Sequence, residues 1–340
     1  MVEESNKEQL HPMSGLLNVG QSCFLNSILF CLASIPEFSE KLKRTIEDNF
    51  FQKSDLLTET FQLLTQISSG KFKVVSPLQV KEILGKSHPY LLRNQQEDAQ
   101  ELFLNFISTL NSEVVSQLST PGLENLQQSF ITDMFRGQLR QIIECDQCFF
   151  RSEQDESFFD LSLPMQTAGK SSLIDSLCLY SAPELLNFEC PDCTSKNSIT
   201  KKTNISKIPE VLVLSFKRFS SDEGSRQKIS SCIDFPTTIN FHQLLGINNE
   251  TQNYKLVAIS NHKGSLEEGH YFSTCFCPRI NKWCLCNDVT VLPFKETELH
   301  MFGKTAYVLF YQSQKVSKWL RKYLVFVIRL KLYNYNLHQI

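Results

Sequence analysis

Long apolar runs are missing from this sequence. No stretch of 18 apolar residues occurs, so no spanning helix is expected. Residues 1–10 are polar and charged, without an apolar centre, so no secretory leader is expected and the chain reads as not secreted. An excess of either charge is missing too: 34 Lys and Arg face 36 Asp and Glu, a net charge of −2. That balance gives no reason to expect nucleic acid as a partner. Tryptophan is scarce, at 2, against 26 Phe and 9 Tyr, so a Phe-rich core is expected. No internal repeat or low-complexity segment stands out.

The charge is unevenly spread. Residues 313–340 carry Lys315, Lys318, Arg321, Lys322, Arg329 and Lys331 and no acid. Residues 1–312 are therefore net −8 and suit a basic partner surface. The tail includes an apolar stretch, residues 323–328, between basic residues. Membrane contact by this basic tail is one reading, and a plain strand or extension is the expected one. A length of 340 residues can bury a sizeable core without disulfides. Twelve cysteines without a leader point to a reducing compartment, cytoplasmic or nuclear, where thiols serve as metal ligands or nucleophiles. Two glycosylation sequons, at Asn204 and Asn249, carry little weight there.

The first third reads helical. Phe24, Ile28, Cys31 and Leu32 recur at helical spacing over residues 23–34, with Pro36 marking the end. Residues 96–110 form a second expected helix, with Glu97 and Asp98 in the first turn where the dipole favours acids. From about Phe130 the pattern turns strand-like, notably over 211–219, 254–260 and 305–311. Helices first and strands later, with a Cys-rich insertion, argue an α+β fold.

Cys23 opens its helix behind the loop Gly15-Leu16-Leu17-Asn18-Val19-Gly20-Gln21-Ser22. A thiol at a helix N-terminus feels the positive end of the dipole, which favours thiolate. Asn18 is placed to aim an amide N–H at a developing oxyanion. A buried core cysteine is the plainer alternative, and Cys31 fits it. A thiolate nucleophile needs a base, and the base needs an orienter. Strands from His270 to Cys277 and from Trp283 to Val291 form an expected hairpin about Pro278-Arg279. With Cys277 opposite Ile280, His270 falls opposite Asn287, within imidazole–amide reach. In that register Cys275, Cys277, Cys284 and Cys286 all face away from His270. They read as small apolar strand residues, a second metal being the lesser alternative.

Cys145-Asp146-Gln147-Cys148 and Cys190-Pro191-Asp192-Cys193 are two knuckles of the kind that hold Zn²⁺. Four thiolates close a tetrahedral site, so the expected zinc is structural.

The Cys23 loop resembles the Cys box of the ubiquitin-specific proteases, the papain-like deubiquitinases. Gly269-His270-Tyr271 through Asn287-Asp288 to Ala306-Tyr307-Val308-Leu309-Phe310-Tyr311 resembles their His box. Gln95-Gln96-Glu97-Asp98-Ala99-Gln100-Glu101-Leu102 resembles the helix between the two. The resemblance implies a papain-like cysteine protease with a helical thumb (about 14–125), zinc-bearing fingers (about 130–235) and an antiparallel palm (mainly 236–312). It makes 1–13 an extension, 14–312 the catalytic domain and 313–340 a tail outside the resemblance. It implies Cys23 as nucleophile, His270 as general base, Asn287 as third triad member and Asn18 in the oxyanion hole, with Asp288 assisting polarisation. Asp98, Glu101, Gln100 and Tyr271 would contact the ubiquitin tail, and Cys145, Cys148, Cys190 and Cys193 would hold Zn²⁺. Residues 220–228 and 261–269 match the family's two blocking loops. One departure is Gln21, where many members have Asn. The implied function is hydrolysis of the bond after ubiquitin's C-terminal glycine by a monomer, with ubiquitin and ubiquitinated proteins as partners. The alternatives are a protease for another ubiquitin-like modifier and a catalytically silent ubiquitin-binding scaffold.

Overall fold

The computed structural model describes residues 10–47, 55–118, 129–166, 169–194, 199–222, 225–246, 252–265 and 268–314. The expected apolar stretch of the tail, 323–328, lies outside the described residues. Among the described residues no helix is long and apolar enough to cross a membrane.

Helices come first: α1 (Cys23–Ala33), α2 (Pro36–Glu47), α3 (Asp55–Ser69), α4 (Leu78–Ser87), α5 (Ala99–Leu118) and α6 (Phe130–Phe135). Among the described residues of this part, strands are limited to the short parallel pair Gly15–Leu16 and Val74–Val75. Strands dominate after residue 136, as an α+β chain requires.

Every residue of α1 is buried, including Leu25, Leu29 and Phe30 off the expected apolar stripe. A helix covered all round belongs in a core. Other helices lie on one side of α1 and the sheet on the other. Pro36 ends α1 and also opens α2, where its missing N–H costs nothing. Helix α5 starts at Ala99 rather than Gln96. Asp98 caps it: Oδ1 accepts from the N–H of Gln100 at 2.7 Å and of Glu101 at 3.3 Å. Gln96 is thereby left outside the helix.

The main sheet runs, edge to edge, through Thr290–Phe294, Lys282–Asn287, Gly269–Cys277, Tyr254–Gly264, Ala306–Ser313, Val211–Phe216 and Leu161–Leu163. All of these neighbours are antiparallel except the last pair. Both faces of the sheet are covered. Val211 and Val213 join the core shared with α1, while Leu212, Leu214 and Phe216 join a second core behind the sheet. Phe103 of α5 packs edge-on to Phe135 of α6 and to Phe310 of the sheet, tying three elements together. Phe103→Ala would cost about 3–5 kcal/mol at such a site.

The hairpin register differs from expectation by two residues. Cys277 pairs with Lys282 and Cys275 with Cys284. Pro278 is the reason. A two-residue hairpin turn requires positive φ at its first position, and proline is locked at negative φ. The chain instead makes a four-residue turn, with Asn281 N donating to Pro278 O and Asn281 at φ 52°. An even slip leaves every side chain on its expected face. Cys275, Cys277, Cys284 and Cys286 all lie in the α1-side core. Among the described residues they form no metal-binding group.

A smaller sheet stands apart, in the order Arg151–Phe158, Gly137–Cys145, Ile199–Lys207, Glu184–Leu186. Its own core is slight: Cys145, Cys190 and Ile199, with Ile143, Phe150, Leu186 and Cys193 against them. Ion pairs such as Arg140–Asp155 and Arg151–Glu144 decorate its exposed surface. Pairs of that kind contribute at most about 1 kcal/mol each, so they do not replace a core.

Candidate active site and cysteine cluster

Cys23 is the first residue of α1 and is buried. His270 lies at the start of the strand Gly269–Cys277, and Asn287 ends the neighbouring strand. His270 Nε2–H donates to Asn287 Oδ1 at 2.6 Å. The shifted register makes this a diagonal contact rather than a directly opposed pair. The Cys23 thiol hydrogen-bonds the same imidazole, which leaves Nδ1 as the nitrogen facing sulfur. The bond with Cys23, and then the one with Asn287, outweigh burial and hold the His270 imidazolium up to about 9. Three segments far apart in sequence thus meet in one thiol–imidazole–amide line.

The loop before Cys23 is built around Asn18. Asn18 Oδ1 accepts from Ser22 N at 2.8 Å, and Ser22 Oγ accepts from Val19 N at 2.8 Å. Gly20 and Gln21 sit at φ 71° and 55°, so the chain turns back tightly into α1. Beneath the loop, Lys81 Nζ donates to Val19 O at 2.6 Å and Gly20 O at 3.3 Å. Burial lowers the Lys81 pKa. A trans peptide points its N–H opposite to its C=O. Drawing those two carbonyls to Lys81 therefore turns the Gly20 and Gln21 N–H groups to the other side of the loop.

Asp288 does not hydrogen-bond His270 in this arrangement. Its carboxylate accepts from Asn18 Nδ2 at 3.0 Å and from the buried Asn26 Nδ2 at 2.7 Å. Its backbone O accepts from Leu16 N at 2.9 Å. Its geometry is that of a clamp on Asn18, and its charge reaches His270 only as the weakest of the resolved influences.

Gln96 is a residue that sequence reasoning passed over. Its amide pairs with the backbone of Gly269 on both sides: Nε2 donates to Gly269 O, and Oε1 accepts from Gly269 N at 3.2 Å. This fixes the residue immediately before His270. Gly269 must be glycine, because a Cβ there would strike the ring of His262. The signal in the sequence was Gln96 lying just ahead of a capped helix, but its partner is 173 residues away.

Asp98, Glu101, Gln100 and Tyr271 gather where α5 meets the sheet. Asp98 Oδ2 accepts from the Tyr307 hydroxyl at 2.6 Å, and Ala99 N–H donates to the Tyr271 hydroxyl. Glu101 is exposed. Gln100 turns inward, donating from Nε2 to the Asp160 carboxylate at 2.9 Å. Burial raises the Asp160 pKa. Tyr271 is only 4% exposed, its ring centroid 4.5 Å from that of His262 and tilted by 50°. It supports the cleft from beneath.

The described residues of the two expected blocking loops lie on paired strands, while 223–224 and 266–267 lie outside the described residues. Phe219–Asp222 pairs with Ser225–Lys228, and Tyr254–Gly264 pairs with Gly269–Cys277. Lys228 Nζ ties them together by donating to His262 O and Gly264 O, each at 2.9 Å. Arg218, fully buried, donates to the carbonyls of Ala306, Ile229, Ser231 and Gly303 at 2.7–3.0 Å. Desolvation lowers it to about 10.

A model of the ubiquitin carboxyl-terminal hydrolase family matches residues 14–311. The chain belongs to that family. A Drosophila melanogaster member, ubiquitin carboxyl-terminal hydrolase Usp2, is 29% identical over 336 residues, covering 91% of this chain and 36% of that protein. Human ubiquitin carboxyl-terminal hydrolase 2 is 30% identical, covering 90% of this chain and 56% of that protein. The chain thus spans between about a third and three fifths of the length of these curated relatives. Among solved structures, the SAGA DUB module of Ubp8, Sgf11, Sus1 and Sgf73 bound to monoubiquitin matches with a TM-score of 0.77. It is 28% identical, covering 93% of this chain and 72% of that one. The fold is therefore the papain-like one of this hydrolase family, with helical thumb, palm sheet and cysteine-bearing fingers.

In the fingers of this family member, Cys145, Cys148, Cys190 and Cys193 bring their sulfurs within 4.8 Å of one another. Cys145 and Cys193 are 3.7 Å apart, and Cys148 and Cys190 are 3.6 Å apart. Sulfurs ~2.3 Å from a tetrahedral centre stand ~3.8 Å apart, so the set has room for one tetrahedral metal ion. The two turns match. Phe149 N donates to Cys145 O and Thr194 N to Cys190 O, and both Phe149 (φ 62°) and Thr194 (φ 54°) are left-handed. Without a cation these thiols oppose one another's ionisation. A hydrogen bond with the Phe150 backbone favours the Cys148 thiolate, but desolvation and the other three thiols push it up to about 12.

Proposed function

We propose that this chain is a thiol-dependent deubiquitinase that hydrolyses the isopeptide or peptide bond after the C-terminal glycine of ubiquitin. The observation that carries the reading is the Cys23–His270–Asn287 line, with Asn18 held beside it. The Ubp8 module's binding of monoubiquitin adds support from a relative of the same fold.

Cys23 Sγ attacks the scissile carbonyl carbon as thiolate, paired with imidazolium His270. Asn18 Nδ2, clamped by Asp288, and the loop N–H groups receive the developing oxyanion. His270 gives its proton to the departing amine. It then takes one from water, which cleaves the thioester and frees Cys23. Asn287 holds Nε2–H and so keeps Nδ1 aimed at sulfur. Asp98 and Glu101 present carboxylates to the arginines of the ubiquitin tail; the capping Asp98 retains a lone pair on Oδ2 for them. Gln100 and Tyr271 act from behind, through Asp160 and Ala99.

The four finger cysteines would hold a structural Zn²⁺, which supplies a crosslink between two turns and no open coordination position. Cysteines placed as nucleophile and as metal ligands suit a reducing compartment, the cytoplasm or the nucleus, and a monomer meets the needs of this site.

The test is reaction of the wild-type chain and Cys23→Ala with a ubiquitin C-terminal electrophile and with a ubiquitin C-terminal amide. Labelling and turnover by the wild type, with turnover lost by at least about 10⁴-fold in the variant, is expected. Ubiquitin binding without labelling would turn the reading to a silent scaffold. Labelling only by another modifier's electrophile would change the substrate.

A further inference from the structure

The order of strands orders the cleft. Tyr307, which holds Asp98, stands on Ala306–Ser313. Crossing the sheet from there, Tyr254–Gly264 comes next, then the His270 strand, then the Asn287 strand, then Thr290–Phe294. At roughly 4.8 Å per strand, the acidic N-terminus of α5 and the turn after Asn287 lie on opposite sides of His270, about 14 Å apart. An acyl chain gripped at Asp98 and Glu101 reaches Cys23 from one side. The amine it was bonded to must leave towards the other.

That other side is apolar. Val289, in the turn after Asp288, is 47% exposed, and Leu17, next to Asn18, is 45% exposed. Their segments adjoin: a Cβ on Gly15 would strike the Val289 backbone, and Leu16 N donates to Asp288 O. Leu292, on the edge strand, is 56% exposed. Leu78 opens α4 just after Val75, whose carbonyl accepts from Leu17 N, and is 44% exposed. Single exposed apolar residues are ordinary, but these four stand on three segments whose backbones adjoin next to Asn287 and Asp288. Asp98 and Glu101 lie on the opposite rim, and the carboxylate on this one, Asp288, is taken up by Asn18 and Asn26.

Resting on the deubiquitinase reading, the geometry points to Leu17, Val289, Leu292 and Leu78 as a docking surface for the polypeptide that carries the leaving amine. Its preferred occupant is a target whose modified lysine is flanked by apolar side chains. The surface touches neither the ubiquitin moiety nor the reacting atoms. It selects among conjugates rather than accelerating the chemistry.

Three substrates test this: ubiquitin joined through its C-terminus to the ε-amine of free lysine, of a lysine flanked by Leu and Phe, and of a lysine flanked by Ser and Gly. The wild type should cleave the Leu/Phe conjugate with about fivefold to tenfold higher kcat/KM than the Ser/Gly one, mainly through KM. Leu17→Ser with Val289→Ser should erase that preference while ubiquitin–lysine is cleaved within about twofold of wild type. Leu292→Ser alone, farther from the loop, should weaken it partly. Equal cleavage of both peptides by a wild type that turns over ubiquitin–lysine would overturn this surface and leave the hydrolase reading standing. An equal loss on all three substrates in the double variant would also overturn it. No turnover of ubiquitin–lysine by the wild type would overturn the hydrolase reading and this surface with it.

Discussion

Cys23 and Cys190 are both buried thiols, yet their surroundings are held together by opposite means. Around Cys23 the large core of α1, the other helices and the sheet fixes each element before any ligand arrives. Hydrogen bonds then aim the side chains: Asn287 on His270, Asp288 on Asn18, Gln96 on Gly269. Around Cys190 the core is slight, and two turns face each other with little but their sulfurs between them. The same side chain is a reagent where packing does the holding, and a fastener where packing is too weak to hold.

Removing the fastener should have the largest effect. Cys190→Ser, or a chelator, should release one Zn²⁺ per chain and cost roughly 2 kcal/mol or more of stability, read as a lower Tm. Finger geometry should suffer before the chemistry does, so KM for ubiquitin conjugates should rise by about tenfold while kcat stays within about threefold. Cys284→Ala, in the other group of four cysteines, should cost only about 1 kcal/mol and release no metal. Equal metal loss from both variants, measured by atomic emission, would erase the distinction between the two groups.

Gln96→Ala probes the hydrogen-bonded side of the comparison. Gly269 would lose both partners and His270 its fixed approach, so kcat should drop about 10- to 100-fold with Tm nearly unchanged. Gln96→Glu should be intermediate, since a carboxylate still accepts from Gly269 N but no longer donates to Gly269 O. A Gln96→Ala enzyme with unchanged kcat would mean that the core alone positions His270.

The pH profile is a finer probe. His270 is raised from 6.5 to about 9, first by Cys23 and next by Asn287. A raised pKa means that the protonated pair's contribution is complete below pH 6.5 and fades as pH climbs through about 9. The alkaline limb of kcat/KM should therefore fall near pH 9, and Asn287→Ala should move it to lower pH. A limb that stays put in the variant would show that Asn287 orients the ring without supporting its charge.

What could be read in the sequence follows the same division. The Cys23 loop, the His270 strand and the two knuckles are local patterns, and short spacing displays them. Lys228 holding His262 O and Gly264 O, and Arg218 buried among four carbonyls, depend on contacts between remote segments. Arginine is ordinarily exposed, so nothing local marked this one. Pro278-Arg279 has the length of a tight turn, but the φ of proline forbids the primed type, so the observed register departs from the expected one by two residues. Helix α5 began late because Asp98, not an earlier residue, supplies the cap. That late start is also what frees Gln96 for Gly269.

The smallest effect concerns Gln21, in the loop before Cys23. Its φ of 55° lies in the left-handed region, where a residue with a Cβ loses roughly 1–2 kcal/mol and Asn loses less because its short amide bonds locally. The chain accepts that strain to bring Gly20 and Gln21 round behind Asn18 into α1. Gln21→Asn keeps an exposed amide and eases the backbone, so it should add about 0.5 kcal/mol, a rise in Tm of about 1–2 °C. Gln21→Val, β-branched, should lower Tm by more than that and loosen the loop over Lys81. If Asn and Val shift Tm alike, the backbone at Gln21 is not strained, and the hydrogen bonds of Asn18, Ser22 and Lys81 set the loop before Cys23.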